Sequence, residues 1–309
     1  MAATNRTENY GKGEYDLSRE GEFYSPEWVV STVRAALESP QYNPPMLPAI
    51  ALELIALTRT PDVSLPAVRQ LMERDPVLTA KVLKVAQSAL YGNGRPLSSI
   101  NDALCLLGLR TVENIFLETA LSAKVFRAKG FEAPMEAVRR HSTATGHLAR
   151  LVCRHTSLPD EYAFLCGLLH DVGTAAGLLI LAPQARKLRA RPAPPSSRRR
   201  GEPNVAFVEI ATALQSVHQE ASEILARAWK LPADVQLVLR NHHGFRIGGR
   251  AHPLAAAVCV ADWLASEAGA PLGGEALDTQ AGEAARELGL TKSAVRQLGE
   301  QSRDLVDKL

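Results

Sequence analysis

The chain has 309 residues, enough for one large or two modest domains, and 46% of them are apolar, so a full hydrophobic core can form. The formal net charge is +2, but seven positive charges (Arg186, Lys187, Arg189, Arg191, Arg198, Arg199 and Arg200) crowd into one acid-free stretch, and taking them out leaves the remainder at −5. That distribution excludes a globally basic nucleic-acid binder. Aromatics are only 5%, which together with abundant Ala and Leu favours helix over strand.

In chain order, Met1 to Glu22 is polar, lacks an apolar run and so does not read as a secretory signal. Residues 1–24 are expected to form a disordered tail. Ser25-Pro26-Glu27 is a helix start, with Ser as N-cap and Pro in the first turn. A Pro-rich connector, Pro40 to Pro48, follows that helix. Ile50, Leu54 and Leu57 then share one helical face. Ser64 and Asp75-Pro76 open two more helices, Gly92-Asn93-Gly94 is a loop, and Gly108 ends a short helix from Ile100. Thr111 to Phe126 completes a first half with no period-2 alternation.

From Pro134 the helical pattern resumes. Glu136 to His155 carries His141 and His147. Glu161 to Leu181 carries His170-Asp171 inside an apolar run, and Val205 to Lys230 carries His218 and Trp229. The next helix reaches His242-His243, and Ala251 to Ala268 carries Asp262. Ala190 to Gly201 is a flexible Arg-, Pro- and Ser-rich loop by composition. Thr291 caps the last helix of the tail. No strictly apolar run of 18 residues is present, so no membrane span is expected. Cys105, Cys153, Cys166 and Cys259 sit singly in apolar segments and read as buried, reduced thiols of a cytoplasmic protein.

Leu47-Pro48, Asp75-Pro76-Val77-Leu78, Gln87-Ser88-Ala89, Ser99-Ile100-Asn101-Asp102-Ala103, Leu107-Gly108, Trp229-Lys230-Leu231-Pro232, His242-His243 and Val260-Ala261-Asp262 occur in an order that resembles the HDOD family. These are bacterial proteins related to HD-domain hydrolases. The resemblance runs from about Pro45 to Ala265, with Gln87 where the family usually has Asn. It implies an all-α, multi-helix HDOD fold: an N-terminal helical subdomain (25–130), a C-terminal HD-like helical bundle (131–268) with the loop at 190–201, and a helical tail (269–309).

The resemblance also implies a site. His141, His170, Asp171 and Asp262 match the order of one metal set in HD-domain phosphohydrolases. His218, His242 and His243 match the three further histidines of the HD-GYP branch. HDOD proteins have mostly lost several of these ligands, whereas this chain keeps all seven. Neutral imidazole and carboxylate suit a divalent transition metal, iron or manganese, as one or two ions. Asp171 is the expected bridging ligand and the residue on which hydrolysis would depend. A bland reading stays open, with Asp171 as a helix cap and His170 bonded to a carbonyl in the core. After His242-His243 the chain reads Gly244-Phe245-Arg246, without the Glu or the Gly-Tyr-Pro expected of cyclic di-GMP hydrolysis. No Lys or Arg accompanies the His170-Asp171 turn.

Three functions compete. The first is a signalling module that binds a protein partner or a nucleotide. The second is a metal-dependent phosphohydrolase or phosphodiesterase acting on a nucleotide or cyclic dinucleotide. The third, which the overall charge disfavours, is nucleic-acid association through the arginine loop. No membrane partner is expected, and the sequence leaves the oligomeric state open. His147, His155 and His252 read as surface or locally bonded residues, and Trp229 and Trp263 as core anchors.

Overall fold

The computed structural model describes residues 25–59, 62–92, 94–160, 162–184, 205–272 and 278–309. The expected tail 1–24 and the arginine loop lie outside the described residues. The fold is all-helical apart from one small hairpin.

The first half holds α1 (Pro26–Glu38), α2 (Ala49–Thr58), α3 (Leu65–Glu73), α4 (Pro76–Ala86), α5 (Ile100–Leu107) and α6 (Leu109–Lys124). Local chemistry sets their starts. The side chains of Ser25, Ser64, Asp75 and Ser99 each accept a backbone N–H of the first turn, and Pro sits at the start of α1, α3 and α4. Gly108 turns at a φ of 77°, in the left-handed region, between α5 and α6.

The second half holds α7 (Glu132–Thr156), α8 (Ala163–Leu169), α9 (Val172–Leu181), α10 (Val205–Gln215), α11 (His218–Ala228), α12 (Ala233–Asn241) and α13 (Pro253–Glu267), then α14 (Asp278–Glu287) and α15 (Lys292–Val306). Arg246–Ile247 pairs antiparallel with Arg250–Ala251 between α12 and α13. The long α7 packs against α8 and α13, while α11 packs against α9 and α12. α1, which the sequence groups with the N-terminal helices, packs on α9 and α10 from the second half. Trp229 ties the halves together: it is buried, and its indole N–H donates to the Pro45 carbonyl over 2.8 Å.

One apolar run bears on the membrane expectation, and the cysteine reading needs correction at one residue. Ala163–Gln184 is a 22-residue run with a mean hydropathy of 1.8, long and apolar enough to cross a membrane by length and composition, although His170 and Asp171 interrupt it. Of the hydropathy window, 89% is buried within the chain, as a core helix would be. Cys105 is exposed, whereas the other three cysteines are buried.

Candidate metal centre

The helix expected to run through His170-Asp171 breaks there. α8 ends at Leu169, the pair forms a turn, and α9 starts at Val172. The turn frees both side chains from one helical stripe. A second link fixes it: the Ser222 hydroxyl donates to the His170 carbonyl (2.7 Å) and accepts from the Gly173 N–H (2.9 Å). α11 is thereby clamped to the turn, and its first residue is His218. His242 and His243 end α12, next to Phe245, a buried residue at a φ of 36°. Non-glycine residues rarely hold such a backbone, and functional sites are where it is tolerated.

All seven sequence-predicted residues meet in the core. Asp171, His218, His242 and His243 form one group and His141, His170 and Asp262 another; within each, one donor atom per residue lies within 4.8 Å of the rest. Six of the seven are buried, and the His243 side chain, at 26% exposure, lies on the solvent side.

The hydrogen bonds of the rings define what the groups can do. Nδ1 of His170, His218 and His242 donates to the carbonyls of Gly167, Gln215 and Leu239, at 2.8, 2.7 and 2.9 Å. Nδ1 of His141 donates to the Ala270 carbonyl at 2.7 Å. With the Nδ1 proton committed, a neutral ring presents a bare lone pair at Nε2. Those Nε2 atoms face each other: His141 and His170 are 3.2 Å apart, and His218 and His242 are 3.1 Å apart. Two such lone pairs repel unless a cation, or a shared proton, lies against them.

The carboxylates complete the arrangement. Asp171 faces both groups: Oδ2 lies 3.6 Å from His170 Nε2 and 3.9 Å from His141 Nε2, while Oδ1 lies 3.2 Å from His218 Nε2 and 3.6 Å from His242 Nε2. Oδ1 is nevertheless buried with no hydrogen-bond partner among the described residues when the facing rings are neutral, because their protons are then spent on carbonyls. Leaving a carboxylate oxygen unpaired in the core is costly. Asp262 Oδ1 lies 3.1 Å from His141 Nε2, and Oδ2 lies 3.5 Å from His243 Nε2.

Charge states follow. Burial holds the His141 imidazolium down, but the bonded Asp262 carboxylate and then Asp171 outweigh it and raise the group to about 9. Burial opposes ionisation of Asp262, yet the His141 hydrogen bond wins and holds it at about 2. Burial, reinforced by the neighbouring His243, pushes His242 down to about 3, and burial also lowers His170 and His243. Asp171 stays ionised, since His170 and His218 outweigh its burial. The ion-pair partners of Asp171 and Asp262 among the described residues are all histidines. The donor set of imidazole nitrogens, carboxylates and an orphaned buried oxygen fits one or two divalent metal ions.

The remaining candidates fall elsewhere. Cys166 is buried and its thiol is pushed up by burial, so it belongs to the core. His252 caps α13 by accepting from the Ala255 N–H. His147, read as a surface or locally bonded group, is instead lowered to about 4 by burial and bonds the distant Tyr91 hydroxyl at 2.8 Å. Trp229 is a buried anchor, while Trp263 is partly buried and donates to Asp278.

Comparison with known proteins places this geometry in context. The HDOD domain profile matches residues 45–245. A protein of Treponema pallidum (strain Nichols) is 28% identical over 203 residues, 64% of this chain and 37% of that protein. The chain therefore spans little more than a third of the curated relative it matches. Among solved structures, an HDOD domain protein of unknown function from Geobacter sulfurreducens has a TM-score of 0.67 at 24% identity, covering 91% of this chain and 98% of its own. A candidate metal-dependent phosphohydrolase from Shewanella amazonensis SB2B has a TM-score of 0.63 at 18% identity, covering 91% and 99%. A candidate signal transduction protein from Marinobacter aquaeolei VT8 has a TM-score of 0.64 at 20% identity, covering 95% and 67%. At these identities the likeness establishes a shared helical fold.

Proposed function

The chain belongs to the HDOD-domain family, and on that premise we propose that it is a signalling module built around a two-metal centre. His141, His170 and Asp262 hold one ion and His218, His242 and His243 the other, with Asp171 between them. The observation that carries the reading is Asp171, whose two oxygens face separate histidine groups while Oδ1 has no proton to accept. Iron or manganese suits the mixed nitrogen and oxygen donors. One solved neighbour is described as a candidate signal transduction protein, which agrees with a regulatory role, and another as a candidate metal-dependent phosphohydrolase, which agrees with a metal site.

A second reading, hydrolysis of a phosphate ester or diester, is favoured by one feature. The His243 side chain is partly exposed and opens the centre to solvent. When bound, metal ions would supply Lewis acidity, lowering the pKa of water and neutralising phosphate charge. The chain's own residues would fix ring orientation through Nδ1 and exclude bulk water by burial. Against this reading, no Lys or Arg pairs with Asp171 or Asp262 among the described residues. Metal binding alone does not position a substrate. The regulatory reading therefore stands first.

The test loads the protein with manganese or iron and presents nucleotides, cyclic dinucleotides and an aryl phosphodiester, with Asp171→Ala as control. Metal-dependent binding of a nucleotide without turnover supports the module. Turnover abolished in the control establishes the hydrolase, while equal turnover in both proteins signals a contaminant. Failure to load metal refutes both readings.

A further inference from the structure

The four interior histidines whose Nδ1 is bonded to a carbonyl differ in one respect. His170, His218 and His242 each reach the carbonyl three residues back, at Gly167, Gln215 and Leu239. Their ring orientation is set within their own stretch of chain. His141 instead reaches Ala270, 129 residues away, at 2.7 Å. The Nδ1 bond that helps to orient its ring therefore lasts only while the segment after α13 stays docked on α7.

The residue before it does the docking. Arg140 Nη1 donates to the Gly269 carbonyl at 3.1 Å, and Nη2 donates to the Val306 carbonyl at 2.9 Å. Gly269 follows the end of α13, and Val306 ends α15. The guanidinium thus caps two helix C-termini, where unpaired carbonyls and the helix dipole favour a cation. A further bond ties the segment beside the carboxylate of the same group: Trp263 Nε1 donates to Asp278 Oδ1 at 2.7 Å, one residue after Asp262. Both His141 and Asp262 are therefore braced by the C-terminal segment that carries Gly269, Ala270, α14 and α15. This segment lies beyond residues 45–245, which the family profile covers.

We infer that this C-terminal segment completes the His141–His170–Asp262 group, and that Arg140 is the positioning residue that fastens it. The inference rests on the two-metal reading and adds a prediction that reading does not make: the two metal positions depend unequally on the tail. The Asp171–His218–His242–His243 group is oriented by local carbonyls and keeps its ion when the tail loosens. The other group loses affinity, because a ligand freed from the partner that orients it typically binds about ten- to a hundredfold more weakly.

The experiment is metal titration of the full chain with Mn²⁺, comparing wild type, Arg140→Ala, Arg140→Lys and Trp263→Phe, each checked for folding by circular dichroism. Wild type is expected to bind two ions. Arg140→Ala should bind one ion with wild-type affinity and the other at least roughly tenfold more weakly, with partial recovery in Arg140→Lys, which keeps the cation at the helix ends. Trp263→Phe keeps the ring packing and should weaken the same ion alone; it also serves if Arg140→Ala does not fold. Hydrogen exchange on the wild-type protein gives an independent readout, since linkage is reciprocal: metal loading should slow exchange at Ala270 and along α14 and α15. A wild type that binds no metal overturns the two-metal reading itself. A wild type that binds two ions, with variants that weaken both equally or neither, overturns only the role given to the tail.

Discussion

Gly173, the second residue of α9 after the His170-Asp171 turn, lies tightly against the start of α11. A Cβ built there would lie 2.0 Å from the His218 carbonyl oxygen, 2.7 Å from the Ser222 nitrogen and 2.9 Å from the Ala221 Cβ. Close carbon-to-oxygen contacts stop at about 3.3 Å, so Gly173→Ala must push the start of α11 back by roughly an ångström. Two of the three obstacles are backbone atoms, so no side chain can swing aside. Overpacking of this kind costs about 3 kcal/mol, the upper end of the usual range. For a chain of 309 residues that is a fall in melting temperature of about 5 °C. The displaced residue is His218, so the metal group containing it should weaken too. Gly177, one turn further along α9, is the control. Its Cβ would meet only the tip of Leu214, at 2.4 Å, and a flexible side-chain end can move. Gly177→Ala should cost less than about 1.5 kcal/mol and leave metal binding intact. Thermal unfolding of both variants, with and without manganese, decides the matter. Equal losses, or a Gly173→Ala protein as stable as wild type, would refute the claim that this glycine sets the distance between α9 and α11.

Further outcomes follow from the same geometry. The metal-free protein should be most stable near pH 6.5. His141, raised to about 9 by Asp262 against its burial, adds stability in full below its unfolded value of 6.5 that is lost as pH climbs to 9, at most about 3 kcal/mol. His242 and His147, held down to about 3 and about 4 by burial, act the other way, and stability falls below pH 6.5 as the unfolded chain takes up protons. The low Asp262 value belongs to the same pair as His141 and is not counted again. Melting curves of chelator-treated protein across pH test this, and a flat profile from pH 7 to 9 would remove the His141–Asp262 pair from the account. Trp229→Phe deletes the N–H that satisfies the Pro45 carbonyl while keeping most of the packing. It should cost about 1 to 3 kcal/mol by denaturant unfolding, and no loss would mean that water replaces the bond. His170→Ala should shrink, without abolishing, the rise in melting temperature on adding manganese, because the ion of the His141–His170–Asp262 group is weakened while the other group still stabilises the native state by mass action.

The helices were legible because their starts are written locally. Ser25, Ser64, Asp75 and Thr291 cap as their sequence positions suggest, and Ser99 caps α5 in the same way. The order of the seven polar residues was legible through the resemblance to the HD-type ligand series, and only His170-Asp171 and Asp262 also interrupt apolar runs. What was not legible depends on contacts between distant segments. Nothing near His170 marks the helix break, which is held by Ser222, 52 residues on. Nothing near His141 points to Ala270. Nothing near His147 points to its bond with Tyr91, 56 residues away, where the ring is partly buried. Cys105 sits among leucines, but its turn of α5 faces outward. The apolar run from Ala163 passes as a membrane span by composition because averaging dilutes its two buried polar residues.

Asp171 and the six side chains gathered around it are proposed to hold metal. Protein purified without a nickel column, from cells grown with iron and manganese, should carry about two equivalents by elemental analysis. Asp171→Ala should lose at least one of them, because its carboxylate faces both histidine groups. A wild-type protein that emerges free of metal, and whose melting temperature does not move when manganese or iron is added, would contradict the account.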